Sequence, residues 1–335
     1  MSKYTSIELC AGAGGQALGL HNAGFSHRAL IEIEPVACET LRLNNIKHNL
    51  GWENIIEGCV AQFANTSAAS YQGIDLVAGG VPCPPFSVAG KQLGGDDERD
   101  LFPTALDIVR TIRPKAVMLE NVAGLLDIKF NGYRNNLNLN LQKMGYQPFW
   151  KLLNASDFGV PQLRPRVILV ALLKQYAQNF EWPKLTTLPP TVGEVLYDLM
   201  ASNGWKNAEK WKQQANKIAP TLVGGSRKHG GPDLGPSRSK RSWQELYVNG
   251  HSLADTAPSE DFLGYVGRDG LIRQGFEDMP RLTVRMAARI QGFPDWWDFS
   301  GKKTAAYRQV GNAFPPPVAE AVGKQIYKAL CSVET

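Results

Sequence analysis

Short apolar runs alternating with amphipathic stretches through the first 180 residues predict an α/β fold with a doubly wound, mostly parallel sheet. Two further observations shape that expectation. A glycine-rich turn follows the first apolar run directly, and the periodicity fades after about residue 184, where a smaller, irregular domain is expected. In chain order, Thr5 to Cys10 reads as a strand and Ala11 to Gly15 as its turn. Gln16 to Ala23 reads as the helix behind it. Arg28 to Ile33 is a second strand, followed by a helical Val36 to Ile46. Ile74 to Gly79, Ala116 to Glu120 and Val167 to Leu173 are apolar enough for strands buried on both faces. Leu188-Pro189-Pro190 marks the boundary, and order returns from Ala305 to Leu330 with a Gly-Asn turn, three prolines and a closing helix.

Composition excludes several classes. Apolar residues are 43% and charged residues 20% of the 335, which is neither disordered nor fibrous. The longest apolar run, Val167 to Leu173, falls far short of the roughly 20 residues needed to cross a bilayer. No secretory signal is read from the Met1-Ser2-Lys3 start. The five cysteines (10, 38, 59, 83 and 331) form no C-x-x-C pair and have no neighbouring histidines. That argues against a disulfide framework and against a metal site, and it fits a reducing, cytoplasmic setting. The net charge of +5 is uninformative as a total, but its distribution is not. From Ser202 to Gly250 nine basic residues stand against three acidic ones, a net +6 that leaves −1 for the rest. Trp205, Trp211 and Trp243 are interleaved there. A solvated basic face is one reading; a nucleic-acid groove with interleaved aromatics fits better.

Three places carry chemistry. The turn Cys10 to Gly15 can bring backbone close to a ligand at a helix N-terminus, but its G-x-G-G spacing is not the dinucleotide fingerprint. The second strand leads to Glu32, placed to grip ribose hydroxyls at a strand's carboxyl end. Gly79-Gly80-Val81-Pro82-Cys83-Pro84-Pro85 puts a cysteine in a stiff loop at such an end, the rigid presentation a thiolate nucleophile needs. Glu120-Asn121 closes another apolar strand and Arg164-Pro165-Arg166 opens a third. Glu120 can serve as a proton donor and the arginines can hold a carbonyl oxygen or a phosphate. Strand-end punctuation and ion pairing explain them equally well one at a time.

Together these residues resemble the cytosine carbon-5 DNA methyltransferase family, over nearly the whole chain and in order. The elements are ELCAGAGG, GGVPCPPFS, MLENVAGLL, ASDFGVPQLRPR, RLTVRMAARIQGFP and YRQVGNAFPPPVA. The resemblance implies a Rossmann-like, S-adenosylmethionine-dependent catalytic domain over 1–184. It implies a target-recognition domain over 185–304, its variable DNA-reading part at about 186–280, and a C-terminal segment, 305–335, returning to the catalytic domain. Cys83 is then the nucleophile that adds to carbon 6 of a flipped-out cytosine, Glu120 the donor to ring nitrogen 3, and Arg166 with Arg164 the holders of the carbonyl oxygen. The cofactor is implied to lie against Leu9, Cys10, Gly12, Ala13, Gly14 and Gly15, with Glu32 on the ribose and Ile33 on the adenine. Cys59, Pro82, Leu101, Asn312 and Ala313 complete that pocket. Double-stranded DNA is the implied partner, contacted by Ser87, Arg227, Lys228, Arg238, Lys240 and Arg241. A bacterial restriction-modification setting follows, with a monomeric enzyme and a companion endonuclease.

Three departures from the family are visible. Cys10 stands where an aromatic residue is common, Cys59 where an acidic one is, and Pro84 where glutamine often is. A transfer-RNA cytosine methyltransferase would share the motifs with a shorter recognition region. A nicotinamide oxidoreductase would share only the sheet and the glycine turn, and a non-catalytic DNA-binding relative would have no use for Cys83 and Glu120.

Overall fold

The computed structural model describes residues 4–82, 100–184, 188–225, 231–267 and 269–333. Two compact units divide the chain. Residues 1–154, 165–185 and 316–335 make the first, and 155–164 with 186–315 the second.

The first unit is a seven-stranded mixed sheet. Its strands are β1 (Tyr4–Leu9), β2 (Phe25–Glu32), β3 (Ile55–Glu57), β4 (Leu76–Gly79), β5 (Ala116–Val122), β6 (Tyr146–Asn154) and β7 (Pro165–Leu173). Their spatial order is β3-β2-β1-β4-β5-β7-β6, parallel from β3 to β5. The reversal between β1 and β4 opens a crevice at the carboxyl ends of those strands, the usual ligand position in such sheets. Helices α1 (Gly15–Asn22), α2 (Pro35–Lys47), α3 (Val60–Thr66), α4 (Phe102–Ile112) and α5 (Asn131–Lys143) connect the strands, and the short α6 (Lys174–Ala177) follows β7. All four residues of β4 are buried, and Phe102, Ile108 and Val109 of α4 pack into the core with Val77, Val117 and Leu119. The doubly wound α/β expectation holds, with one refinement. β7 runs antiparallel to both β5 and β6, so its beginning, not its end, lies at the crevice edge, with Arg166 opposite Val122. β3 and β6 carry no apolar pattern strong enough to read: three residues in one, and a largely half-exposed face in the other.

The C-terminal helix α12 (Pro316–Cys331; α7 to α11 follow below) belongs to this unit and packs on α1. Contact is close because position 19 has no side chain. A Cβ on Gly19 would overlap the Pro316 carbonyl and the Ala319 methyl.

The second unit contains α7 (Val192–Ala201), α8 (Ala208–Gln214), α9 (Ser237–Gln244), α10 (Val284–Ile290) and α11 (Lys303–Asn312). Thr191 and Glu194 form a capping box that starts α7. Trp205, Trp211, Trp243 and Trp297 are all buried here. The Trp205 and Trp211 indoles donate to the Phe262 and Tyr247 carbonyls at 2.8 and 2.9 Å. This corrects the groove reading of the interleaved tryptophans: they are the unit's core, because a chain poor in periodic helix and sheet still needs large apolar bodies to bury. The segment 155–164 joins this unit through Gln162. Its amide donates to Gln291 Oε1 at 2.7 Å and accepts from the Leu222 amide at 2.8 Å. Among the described residues no helix is long and apolar enough to cross a membrane.

Candidate active site

The turn after β1 is built from left-handed backbone: Cys10 (φ 54°), Gly12 (φ 54°) and Gly14 (φ 82°), the last capping α1. Glu32, at the end of β2, fixes this turn. Its carboxylate accepts from the Gly12 amide at 2.7 Å and from the Glu34 amide at 2.8 Å. Beneath the turn lies a buried polar layer that sequence reasoning did not assign. Glu8 accepts from the Ala17 amide, and burial raises its carboxyl well above the usual range. His27 Nε2 lies 2.8 Å from the Ala17 carbonyl and its Nδ1 3.0 Å from the Ser6 hydroxyl. Burial lowers the imidazole to about 4, so the neutral ring donates from Nε2 and accepts from Ser6. The sequence sign of this layer was an acid between the apolar Ile7 and Leu9.

The residues present fit an adenosine-bearing cofactor. A Cβ on Gly12 would meet nothing within 4 Å, so open space lies over the turn. Ile33 is 62% exposed immediately beyond Glu32, an apolar face with nothing covering it. Both ends of the buried Gln16 amide, at the start of α1, lack a partner in the protein. Leu9 and Ala13 are fully buried and face the core instead, so any contact they offer is through backbone. Cys59 caps the N-terminus of α3. The Cys10 thiol is pushed far up by burial, then by the charges of Glu32, Cys59 and Glu8. Cys10 is therefore an inert thiol.

Glu120 and Arg166 meet across the β5–β7 pair. Their register makes them diagonal neighbours on one face, and Arg166 Nε lies 2.8 Å from Glu120 Oε1, both side chains about 15% exposed. The other Glu120 oxygen faces Gly80, where a Cβ would approach it to 3.2 Å. The next residue, Asn121, donates from its side chain to the Val81 carbonyl at 3.0 Å, and the Leu101 amide donates to the Pro82 carbonyl at 3.3 Å. Asp100 accepts from the Tyr133 hydroxyl at 2.6 Å. Both flanks of the cysteine loop are thus tied to the sheet and its helices. Cys83 and Ser87 themselves lie outside the described residues, as do Arg227 and Lys228.

Arg164 has partners of its own. Its buried guanidinium donates to the Leu222 carbonyl at 2.9 Å and the Gly311 carbonyl at 3.0 Å within the second unit. Asn312 donates to the Gly225 carbonyl at 3.2 Å in that unit, and Ala313 is nearly buried beside it, its carbonyl taken by the Gln291 amide. Arg238 and Arg241 are exposed on α9, whereas Lys240 is held by Asp233 at 3.0 Å.

An open parallel sheet with a glycine turn, a ribose-height acid and a Glu–Arg pair at adjacent strand ends defines a cofactor-dependent group-transfer enzyme of the Rossmann-like class. Comparison with known proteins narrows the class. The chain belongs to the C-5 cytosine-specific DNA methylase family, which it matches over residues 4–328. It is 55% identical over 331 residues to the Type II methyltransferase M.NgoMIV of Neisseria gonorrhoeae, covering 98% of both chains. It is 53% identical over 331 residues to the Type II methyltransferase M.NaeI of Lentzea aerocolonigenes, covering 98% of this chain and 76% of that one. The solved structure of the Entamoeba histolytica methyltransferase EhMeth shares the fold, with a TM-score of 0.65 at 13% identity over 98% of this chain and 99% of that one. The enzyme therefore methylates carbon 5 of cytosine in DNA, and its family depends on S-adenosylmethionine.

Proposed function

We propose that Cys83, Glu120 and Arg166 carry the reaction on a cytosine flipped out of duplex DNA, in a restriction-modification system with a companion endonuclease. The observation that carries this reading is the Glu120–Arg166 pair, 2.8 Å apart at the strand ends beside Gly80, three residues before the cysteine. Carbon 5 of cytosine is a weak nucleophile. Addition of the Cys83 thiolate to carbon 6 moves electron density onto carbon 5 and ring nitrogen 3. Glu120 gives a proton or hydrogen bond to nitrogen 3, and Arg166 holds the adjacent carbonyl oxygen, so charge never accumulates unpaired. S-adenosylmethionine, when bound, supplies an electrophilic methyl group at carbon 5. Loss of the carbon-5 proton then expels the Cys83 thiolate and restores the ring.

Gly12, Gly14, Gly15, Glu32 and Ile33 would hold the cofactor, together with backbone at Leu9 to Ala13 and the flanks Pro82 and Leu101. Glu32 orders the turn through two backbone amides. A carboxylate has about four acceptor positions, so it can still take ribose hydroxyls. Asn312 and Ala313 would complete this pocket. Arg164 is a positioning residue here, because its two Nη groups donate to the Leu222 and Gly311 carbonyls. The 185–304 region, with Arg238 and Arg241 exposed and Arg227 and Lys228 also in it, would carry the DNA-recognition role, joined by Ser87. Lys240 would contribute through Asp233 and the start of α9.

Bisulfite sequencing of DNA from cells making the protein tests the reading, with Cys83→Ala and Glu120→Gln beside it. Cytosines should resist conversion at one short sequence in the wild type and nowhere with Cys83→Ala. Glu120→Gln should slow methylation by about 10²–10⁴-fold. Protection that survives Cys83→Ala would remove the covalent step.

A further inference from the structure

Resting on the DNA methyltransferase reading, the second unit offers a reader that its charge tally does not reveal. We propose that residues 263–267 and 269–276 form a DNA-reading ribbon in which Arg273 recognises a base edge in the major groove, with Arg281 fixing the ribbon's root.

The ribbon is a short hairpin. Val266 and Ile272 form an antiparallel bridge, the Gly267 amide donates to the Leu271 carbonyl at 2.8 Å, and Gly270 (φ 78°) turns the chain. A two-stranded ribbon is one of the two elements the major groove admits. Apolar side chains stand in solvent on it, with Val266 63% and Leu271 68% exposed. Apolar side chains beside a cation are costly on a surface that meets only water, and useful against base edges and thymine methyls. Two tethers hold the ribbon in place. Gln244, ending α9, donates to the Gly275 carbonyl at 3.0 Å, and the Asn249 amide donates to the Pro280 carbonyl at 3.0 Å.

Several cations of this unit are already neutralised: Lys206 by Glu260 and Asp261, Lys210 by Asp278, Lys240 by Asp233, Arg289 by Asp198 and Asp295. Arg273 and Arg281 have no carboxylate partner among the described residues, and each lies over an aromatic ring. The Arg281 guanidinium is 3.8 Å from the Tyr265 ring centre, and its backbone amide donates to the Tyr265 hydroxyl at 3.1 Å. The Arg273 guanidinium is 5.0 Å from the Phe276 ring, which is itself braced edge-on by His251 at 5.2 Å. Ring stacking removes rotamer freedom from a guanidinium and leaves its planar fork presented in one orientation. A fixed fork suits the two acceptors of guanine, O6 and N7, whereas a free one suits any phosphate. Arg273 is the exposed member and reaches outward; Arg281 is half-buried and anchors. Arg238 and Arg241 on α9, exposed and without a ring beneath them, are the phosphate type.

Genome-wide bisulfite profiles and methylation rates against salt, on purified wild type, Arg273→Lys, Phe276→Leu and Arg238→Ala/Arg241→Ala, separate these roles. Arg273→Lys keeps the charge but loses the fork. It should slow target methylation about 10–100-fold, raise methylation of sites differing at one base pair relative to the target, and leave the salt slope unchanged. Phe276→Leu should do the same more weakly. The α9 double variant should lose rate uniformly over all sites and flatten the slope by about two. Wild-type rate and site choice in Arg273→Lys would overturn the inference, and so would a uniform loss with a flattened slope. If the wild type methylates no DNA cytosine, the functional reading fails instead. Thermal unfolding of each variant guards against loss of fold.

Discussion

Two residues beneath the glycine turn carry opposite titration penalties. Burial pushes the Glu8 carboxyl up and the His27 imidazole down to about 4, and both are attached to Ala17. The two groups therefore give stability opposite pH dependences, and His27→Gln leaves only that of Glu8. The unfolded His27 binds a proton that the folded one refuses, so its contribution to stability is complete above pH 6.5 and is lost as pH falls toward 4. Glu8 does the reverse, losing stability as pH rises above its unfolded value. Urea unfolding at pH 4.5, 5.5 and 6.5 should show the stability difference, wild type minus His27→Gln, growing with pH by about 2–3 kcal/mol. A difference that stays constant would mean that His27 titrates normally when folded.

At the scale of elements, the α1–α12 contact depends on one missing methyl. Glycine to alanine in a helix interior ordinarily gains about 0.5–1 kcal/mol. Gly19→Ala should instead lose about 1–3 kcal/mol in chemical denaturation, because the new Cβ overlaps backbone of Pro316, which cannot swing aside as a flexible side chain can. Stabilisation would show that α12 shifts freely. This contact was invisible in the sequence, since Gly19 and Pro316 are almost 300 residues apart and neither lies in a periodic pattern. What was legible is the set of elements that are mostly buried: β1, β4, β5 and β7 carry buried apolar runs because both their faces are largely covered. β6, half-exposed at the sheet edge, left no such trace. The same logic sorts the site. Glu120 and Arg166 were readable because polar residues ended apolar strands, but their pairing needed the antiparallel β7, which no local pattern states. Arg164, two residues earlier, looks equivalent in sequence, and only the carbonyls of Leu222 and Gly311 distinguish it.

For the whole molecule, the charge contrast survives in a reduced form. The residues of the second unit include 18 Lys and Arg against 14 Asp and Glu, a net +4 of the chain's +5, leaving +1 on the first. The +6 counted over 202–250 shrinks because acids beyond that segment return to it: Glu260 and Asp261 to Lys206, and Asp278 to Lys210. Paired cations release few counterions when DNA binds, since their phosphate contacts must first displace a carboxylate. The number that sets salt sensitivity is therefore the smaller set of exposed cations without a carboxylate partner, Lys217, Arg238, Arg241, Arg273 and Lys302 among the second unit's described residues, and not the nine of the basic segment. Five phosphate or base-edge contacts correspond to a slope of about −4 to −5 in log affinity against log salt, or several hundredfold between 50 and 200 mM. Nine would give a slope near −8. Fluorescence anisotropy with a short target duplex across that range discriminates the two. S-adenosylmethionine affinity, measured by calorimetry on the same preparation, should change less than twofold, because the turn that would hold it is fixed by backbone amides on Glu32 and carries no free cation among its described residues. A DNA slope near −8 would mean that the Lys206, Lys210 and Lys240 pairs open on binding, and that the ion pairs of the free enzyme are a reserve of DNA contacts.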